Sequence, residues 1–448
     1  RAAFQALEGN DFVAVKIRAD RAIQTGGARM PPLERGRLEL VLAEASRWSG
    51  EHEAAREHAY AAMQALPPGA AEWYAASAEA TEAAMILGHS HEARGIAERL
   101  LEIAAGKAPS PFVATGGALE QRPESAPDPE AGDAAPMTIA RVVATSRVAT
   151  VLGVAGLYDS ASALLGPIER AEDFTETEHA ARAFFEAANV ARASWEGDLE
   201  RAAISAQSAI VCFELVGDAR NATRQRQNAG WALAELGAYK AAEVVLREAR
   251  DAAERLGLAA VANDAKLRLG HLYSRTNRPE DAIQMTQEVI AAYAAQRDRI
   301  GEGRARAYLA GVHYLAGDNV AAEEEERRAL PLVEHSPPYR AALMAFMALT
   351  LLHKGAPPDE IYSAGAEAMR RLEQVGGLAE GEALTRLAYA EALYAKGDLD
   401  AARAAIETAR DRLLARAAKI KNPDFKHAFL HGVRENVRTF ARAGEWLR

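Results

Sequence analysis

Apolar and small residues recur along this sequence with the spacing of paired helices. Ahead of the turns they fall three residues apart, as at Leu267, Gly270 and Tyr273, which places them on one face of an α-helix. Five residues after each turn comes a small side chain in all but one case, where Glu360 stands instead. A larger side chain there would overpack the two helices at a cost of about 1–3 kcal/mol. The small residues are Ala14, Ala55, Ala93, Ala161, Ala202, Ala242, Ala282, Ala322 and Ala402.

The turns themselves are marked by glycine, or once by asparagine. Both residues tolerate the left-handed backbone that commonly ends a helix. From Gly197 onward the turns are 40, 40, 40, 38 and 42 residues apart. This period predicts an all-α fold, a right-handed α-solenoid of about ten antiparallel helix hairpins. The turn residues are Gly9, Gly50, Gly88, Gly156, Gly197, Gly237, Asn277, Gly317, Gly355 and Gly397.

One interruption divides the chain. Residues 106–136 contain six prolines and five acidic residues, and too few apolar ones to fold alone, so we predict a disordered insertion. It is either a passive linker or an acidic lid over a binding groove. We therefore expect N-terminal repeats over 1–105, a main array over 137–418 and a C-terminal capping helix within 419–448. Only eight residues precede Gly9, so the first hairpin is truncated, which indicates a fragment of a longer chain.

Composition and charge narrow the function classes. The chain is 49% hydrophobic but only 6% aromatic, which suits closely packed helices better than a sheet. Its net charge of −10 argues against non-specific contact with nucleic acid or an anionic membrane. The single cysteine, Cys212, excludes an internal disulfide, and we expect it in the core. No long apolar run or signal peptide is visible, so a cytoplasmic location is expected.

The combination of turn glycines, small residues in the first helix and alanines in the second resembles the tetratricopeptide repeat. The run from Gly397 to Ala405, Gly-Asp-Leu-Asp-Ala-Ala-Arg-Ala-Ala, is typical of it. The period near 40 is similar to that of the long-repeat subclass found in kinesin light chains and in the Leu-Gly-Asn repeat scaffolds of cell polarity. The resemblance implies a non-catalytic scaffold that binds a protein or peptide.

A second resemblance concerns the C-terminal end. The runs 410–420, 429–430 and 435–439 are similar to the tail of large bacterial serine/threonine kinases or related ATPase regulators. In those proteins the catalytic domain precedes the repeats, so the resemblance implies a regulatory or sensing module of a signalling protein. Three alternatives stay open: an enzyme fragment whose catalysis lies in a missing N-terminal part, a peptide-sensing regulator, and a structural self-assembly module.

The binding site is expected in the groove that the first helices of the hairpins line. Arginines interleaved with aromatic residues could hold a carboxylate-bearing, acidic peptide by charge-assisted hydrogen bonds and stacking. The alternative is that these side chains only pack or pair with neighbouring acids. The candidate groove residues are Arg224, Gln227, Asn228, Trp231, Arg268, His271, Arg275, Arg304, Tyr308 and Tyr314.

No catalytic or cofactor chemistry is expected from the sequence. His89-Ser90-His91-Glu92 has metal-ligating residue types, but adjacent turn residues do not by themselves supply a tetrahedral site. The sequence has no His-Glu-x-x-His run, phosphate-binding glycine loop or Gly-x-Ser-x-Gly turn. We therefore predict neither a metal nor a cofactor, and a protein or peptide as the partner.

Overall fold

The computed structural model describes residues 1–107, 137–170, 178–334 and 336–448. The described residues form ten helix hairpins followed by two short helices, and the predicted all-α array of antiparallel hairpins is confirmed. In each hairpin we call the first helix A and the second B. The first four hairpins consist of α1 (Ala2–Glu8) and α2 (Phe12–Gly26), α3 (Pro32–Ser49) and α4 (His52–Ala65), α5 (Ala71–Ile86) and α6 (Ser90–Ala104), and α7 (Ile139–Val154) and α8 (Tyr158–Glu169).

The remaining helices follow the same alternation to the tenth hairpin. They are α9 (His179–Glu196) and α10 (Leu199–Leu215), α11 (Ala219–Glu235) and α12 (Tyr239–Arg255), α13 (Ala259–Arg275) and α14 (Pro279–Ala295), α15 (Arg299–Ala316) and α16 (Asn319–Ala329), α17 (Pro337–Lys354) and α18 (Pro358–Val375), and α19 (Glu382–Lys396) and α20 (Leu399–Lys419). The chain then ends with α21 (Pro423–His431) and α22 (Arg434–Trp446).

These helices group into two compact units. Unit 1 comprises Arg1–Leu152 and Asp159–Phe185, and unit 2 comprises Gly153–Tyr158 and Glu186–Arg448. The predicted insertion over 106–136 lies outside the described residues apart from Gly106 and Lys107. The predicted boundaries at residues 105, 136 and 418 remain predictions.

The turn chemistry agrees with the sequence at nine of the ten hairpins. Nine of the predicted turn residues have positive φ, for example 80° at Gly237 and 61° at Asn277. The first hairpin differs, because Gly9 has a φ of −80° and Asn10 takes the left-handed conformation at 58°. Asparagine tolerates that conformation better than most side chains do, so the cap moves by one residue without strain.

The small residue of each B helix is the contact point that the spacing predicts. Eight of the nine alanines are fully buried, and only Ala14, in the first hairpin, is half-exposed. At the exceptional hairpin Glu360 is exposed and the next residue, Ile361, is 3% exposed. There α18 begins at Pro358, and its buried face is shifted by one residue relative to the other repeats. Cys212 is buried, as expected.

The segment after α20 forms two helices where one capping helix is predicted. Helix α21 ends at His431, and α22 starts at Arg434 with Val433 as its N-cap. Phe429 belongs to a hydrophobic cluster that also contains Leu199, Trp231 and Leu236, so the C-terminal end of unit 2 packs against its first hairpins. In the described part of the chain, no helix has the length and apolar character to cross a bilayer.

Candidate ligand-binding face

The A helices of unit 2 form one continuous surface. Successive A helices pack against one another more extensively than successive B helices do. In an array of stacked hairpins this places the A helices on the inside of the curve. Side chains on the inward faces of α11, α13 and α15 therefore point towards a shared space.

Five of the ten predicted groove residues contact one another there, namely Trp231, Arg268, His271, Arg275 and Tyr308, and Gln227 lies one turn before Trp231 on α11. We call these six residues the inner cluster. On α11 and α13 they are spaced three or four residues apart, which keeps them on one helix face. The guanidinium carbon of Arg268 lies 5.4 Å from the ring centroid of Trp231. The rings of His271 and Tyr308 meet edge to face, with centroids 4.8 Å apart.

The other four predicted residues are engaged differently. Arg304 forms an ion pair with Asp264 and lies 3.2 Å from the hydroxyl of Tyr293. Tyr314 stacks on His353 with centroids 4.9 Å apart. Their part in binding remains a prediction, as does that of Arg224, which is half-buried, and of Asn228, which donates to Gln225 at 3.1 Å.

Acidic side chains flank the inner cluster. Tyr308 donates its hydroxyl to Glu380, and Arg268 Nη1 lies 3.6 Å from Glu380 Oε2. Burial raises the pKa of Glu235 to about 7; Arg275 opposes this shift and Glu380 reinforces it. Burial, followed by the charges of Arg275 and Arg268, holds the pKa of His271 well below 6.5. His271 is therefore neutral at pH 7.

One group of three side chains has the residue types of a metal site: Glu235, His271 and Glu380. One ligand atom from each lies within 4.8 Å of the others. However, Arg275 Nε donates to His271 Nε2 at 2.9 Å, so the lone pair of that nitrogen is already in use. Two guanidinium groups beside the cluster also repel a cation, so this arrangement disfavours a metal ion.

Four buried nitrogen atoms of the inner cluster have no hydrogen-bond partner within the described residues. They are Gln227 Nε2, Trp231 Nε1, Arg268 Nη1 and Arg275 Nη1. Gln227 is 4% exposed and Trp231 is 7% exposed. All four atoms are N–H donors, and a buried donor without an acceptor costs about 1–3 kcal/mol. These four donors are thus buried without an acceptor among the described residues.

Three acidic residues of this face are not among the residues predicted from the sequence. Glu235 lies four residues after Trp231, so helical spacing could have placed it on the same face of α11. Glu380 lies between α18 and α19, where no helical period predicts its direction. Glu435 of α22 lies 2.8 Å from Arg275, although 160 residues separate them in the chain.

The histidine-containing turn at residues 89–92 makes a structural contact instead. Glu92 accepts two hydrogen bonds from Arg56, at 2.6 and 2.9 Å, and one from the Tyr60 hydroxyl at 2.6 Å. His89 Nδ1 lies 3.4 Å from the same carboxylate. The acid that a metal would need is thus occupied by two side chains of the preceding hairpin.

Comparison with known proteins agrees with this architecture only at the level of helical repeats. No family model and no curated protein matches the chain. Among solved structures, a Rap protein complexed with Competence and Sporulation Factor is 13% identical, covering 69% of this chain and 88% of its own, with a TM-score of 0.49. The hairpins of about 40 residues, their left-handed turns and their buried alanines decide the fold. It is a tetratricopeptide-like array.

Two further structures have lower TM-scores. Yeast Tom70 is 12% identical, with 99% of this chain and 94% of that chain covered and a TM-score of 0.38. A signal transduction ATPase with a tetratricopeptide repeat sensor, PH0952 from Pyrococcus horikoshii, is 13% identical with a TM-score of 0.39. There the match covers 89% of this chain and 53% of that chain. The array assignment accordingly rests on the hairpins of this chain and not on these neighbours.

Proposed function

We propose that this chain is a non-catalytic recognition scaffold that binds a carboxylate-bearing protein or peptide segment on the A-helix face of unit 2. The observation that carries the proposal is the inner cluster, where four buried N–H donors have no acceptor among the described residues and lie beside the rings of Trp231 and Tyr308. A carboxylate accepts charge-assisted hydrogen bonds from guanidinium and indole groups, and aromatic rings contribute apolar contact area.

The setting favours a short peptide over a bulky anion such as nucleic acid. Glu235 and Glu380 lie among the arginines, so the face carries both charges and would repel a polyanion. The A helices of consecutive hairpins supply a surface several helices long, which suits an extended or helical segment read at several points. In this proposal the scaffold serves as the regulatory or sensing module of a larger bacterial signalling protein.

The test selects peptides from a random library on the full chain and measures their affinity by fluorescence anisotropy. Arg268→Glu and Arg304→Glu should each weaken binding by about tenfold or more, because each reverses a charge on the face. Arg327→Glu is the matched control, since Arg327 is 71% exposed and pairs only with its helix neighbour Glu323 among the described residues. Peptides that bind all three variants as tightly as the unchanged chain would remove the proposed site.

A further inference from the structure

Helix α21 carries two histidines one turn apart on its outer side. His427 and His431 are separated by four residues, which brings their side chains to the same helix face. Both are exposed, and their ring centroids lie 4.8 Å apart. Phe429 between them is 3% exposed and packs in the cluster that contains Leu199 and Trp231. Because Phe429 fixes the opposite side of α21, the two imidazoles face solvent.

The two imidazoles have no other fixed partner. In the part of the chain that the structure describes, neither ring takes part in a hydrogen bond or an ion pair. Histidines elsewhere are engaged, as at His58, whose Nδ1 lies 2.8 Å from Glu39 Oε2. A neutral imidazole offers one nitrogen lone pair, so two rings on one face can bind a single ion together.

Paired imidazoles at this spacing suit a transition-metal ion. Two histidines four residues apart on one helix face are the arrangement by which helices bind zinc. With metal–nitrogen bonds of about 2.0–2.1 Å, the two ligating nitrogens stand about 3.3 Å apart in a tetrahedral site. Rings whose centroids are 4.8 Å apart reach that separation by side-chain rotation, since both are exposed. The helix therefore holds two ligands close together before an ion arrives.

The charges around the pair decide which class of ion it can hold. The last turn of a helix carries partial negative charge on its unpaired carbonyl groups, and His431 is the final residue of α21. Asp424 lies one turn before His427 and adds a carboxylate on the same side. Two cations, Lys426 and Arg434, oppose these contributions, so the imidazole nitrogens must supply most of the affinity. That requirement favours ions with strong affinity for nitrogen and disfavours Mg²⁺ and Ca²⁺, which prefer oxygen ligands.

We propose that His427 and His431 form a surface site for a divalent transition-metal ion that prefers nitrogen ligands, such as Cu²⁺ or Zn²⁺. This revises the expectation from the sequence that the chain holds no metal, which rested on adjacent turn residues at 89–92 and not on a helical pair. Two protein ligands leave coordination positions open to water or to a donor from another molecule. Because the pair exists only when α21 is helical, the bound ion stabilises that helix. The site goes beyond the proposed function and does not depend on it.

Isothermal titration of the full chain with CuCl2 and ZnCl2 measures the affinity of the site. Replacing both ligands, His427→Gln with His431→Gln, should weaken Cu²⁺ binding by about tenfold or more. Cu²⁺ should bind more tightly than Zn²⁺. The matched control removes the same number of histidines, His89→Gln with His91→Gln, whose rings are 6.3 Å apart beside Glu92. It should leave the affinity unchanged.

A variant of unchanged composition tests the spacing itself. Lys426→His with His427→Lys keeps both histidines and the net charge, but it places the two rings five residues apart, about 140° around the helix. It should lose the site as the double variant does. Hydrogen exchange of the unchanged chain supplies a second measurement, in which amides of residues 423–431 should exchange more slowly with Cu²⁺ than without it.

Three results would each overturn the site. They are equal Cu²⁺ affinity of the unchanged chain and the double variant, full binding by the variant with exchanged positions, and no slowing of exchange over residues 423–431. Thermal unfolding without metal checks that each variant keeps its fold. If the exchanged variant unfolds at lower temperature, His431→Gln alone decides, because it alters a single exposed side chain and should itself weaken Cu²⁺ binding by about tenfold.

Discussion

Both units bury arginines and glutamates between helices, but the buried charges have different partners in the two units. In unit 1, Arg47 Nε lies 2.5 Å from Glu79 and 3.2 Å from Glu82. Arg147 Nη2 lies 2.8 Å from Glu79 and 3.2 Å from Glu82. Two cations thus share two anions across three A helices, and none of the four side chains is more than 13% exposed. This group balances its own charge.

The inner cluster of unit 2 is not balanced in this way. Arg275 obtains its 2.8 Å acceptor from Glu435 of α22, 160 residues later in the chain. Among the described residues four donor nitrogens of the cluster have no hydrogen-bond partner, although one of them, Arg268 Nη1, lies 3.6 Å from Glu380. Unpartnered donors do not separate the two groups, because Arg47 Nη1 in unit 1 has no hydrogen-bond partner among the described residues either. The groups differ in the origin of their acids, which come from one neighbouring A helix in unit 1 and from distant parts of the chain in unit 2.

The largest expected effect comes from breaking the balance in unit 1. Glu79→Ala leaves Arg47 and Arg147 with one shared carboxylate, and it should lower the free energy of unfolding by about 3–5 kcal/mol in urea titrations. Glu51→Ala is the control, because Glu51 is 51% exposed in its pair with Lys16, and should cost less than about 1 kcal/mol. Similar losses for both variants would mean that the buried group does not hold unit 1 together.

A smaller effect, of opposite sign, is expected at Glu235 in unit 2. Its folded pKa of about 7 exceeds the 4.5 of a free glutamate, so the folded state binds the extra proton between these values. The contribution of Glu235 to stability therefore falls as pH rises from about 4.5 to 7 and then stays level. Glu235→Gln keeps the neutral form and should raise stability at pH 8 by about 1–3 kcal/mol, with little change at pH 4.

Thermal unfolding at both pH values measures this difference, and Glu382 provides the contrast. Although burial alone would raise the pKa of Glu382, Arg412 and Arg416 hold it below the usual value. That acid stabilises the fold above its unfolded pKa and loses its contribution as pH falls through the folded one. Glu382→Gln should therefore destabilise at neutral pH and not at low pH. A Glu235→Gln chain that is less stable at pH 8 would show that burial does not disfavour the charged form of Glu235.

The smallest effect on stability is expected at Trp231. Phenylalanine keeps most of the ring but removes the Nε1 donor, which has no acceptor among the described residues. Although no hydrogen bond is lost, Trp231 packs with Leu199, Leu236 and Phe429, so the smaller ring of Trp231→Phe should lower the free energy of unfolding by about 1–2 kcal/mol. It should also weaken a library-selected peptide measurably in the anisotropy assay. Loss of stability without loss of affinity would mean that Trp231 contributes packing only, like Trp48 and Trp73 in unit 1.

The sequence by itself determined the hairpins, because their causes are local. A turn glycine and the alanine five residues later act within one hairpin, so their 40-residue recurrence is readable without tertiary information. Helical spacing also selected Trp231 on α11 and Arg268, His271 and Arg275 on α13, and the structure brings these residues together. Helical spacing could not predict which acidic side chains contact these residues.

Only the tertiary structure decided those partners. Glu380 reaches Tyr308 from a connection 72 residues away, and Glu435 reaches Arg275 from 160 residues away. Such meetings depend on the curvature that builds up as small rotations between neighbouring hairpins add together. A sequence pattern within one repeat does not specify this curvature. It can therefore predict which residues share a helix face, but not that Glu380 and Glu435 contact that face.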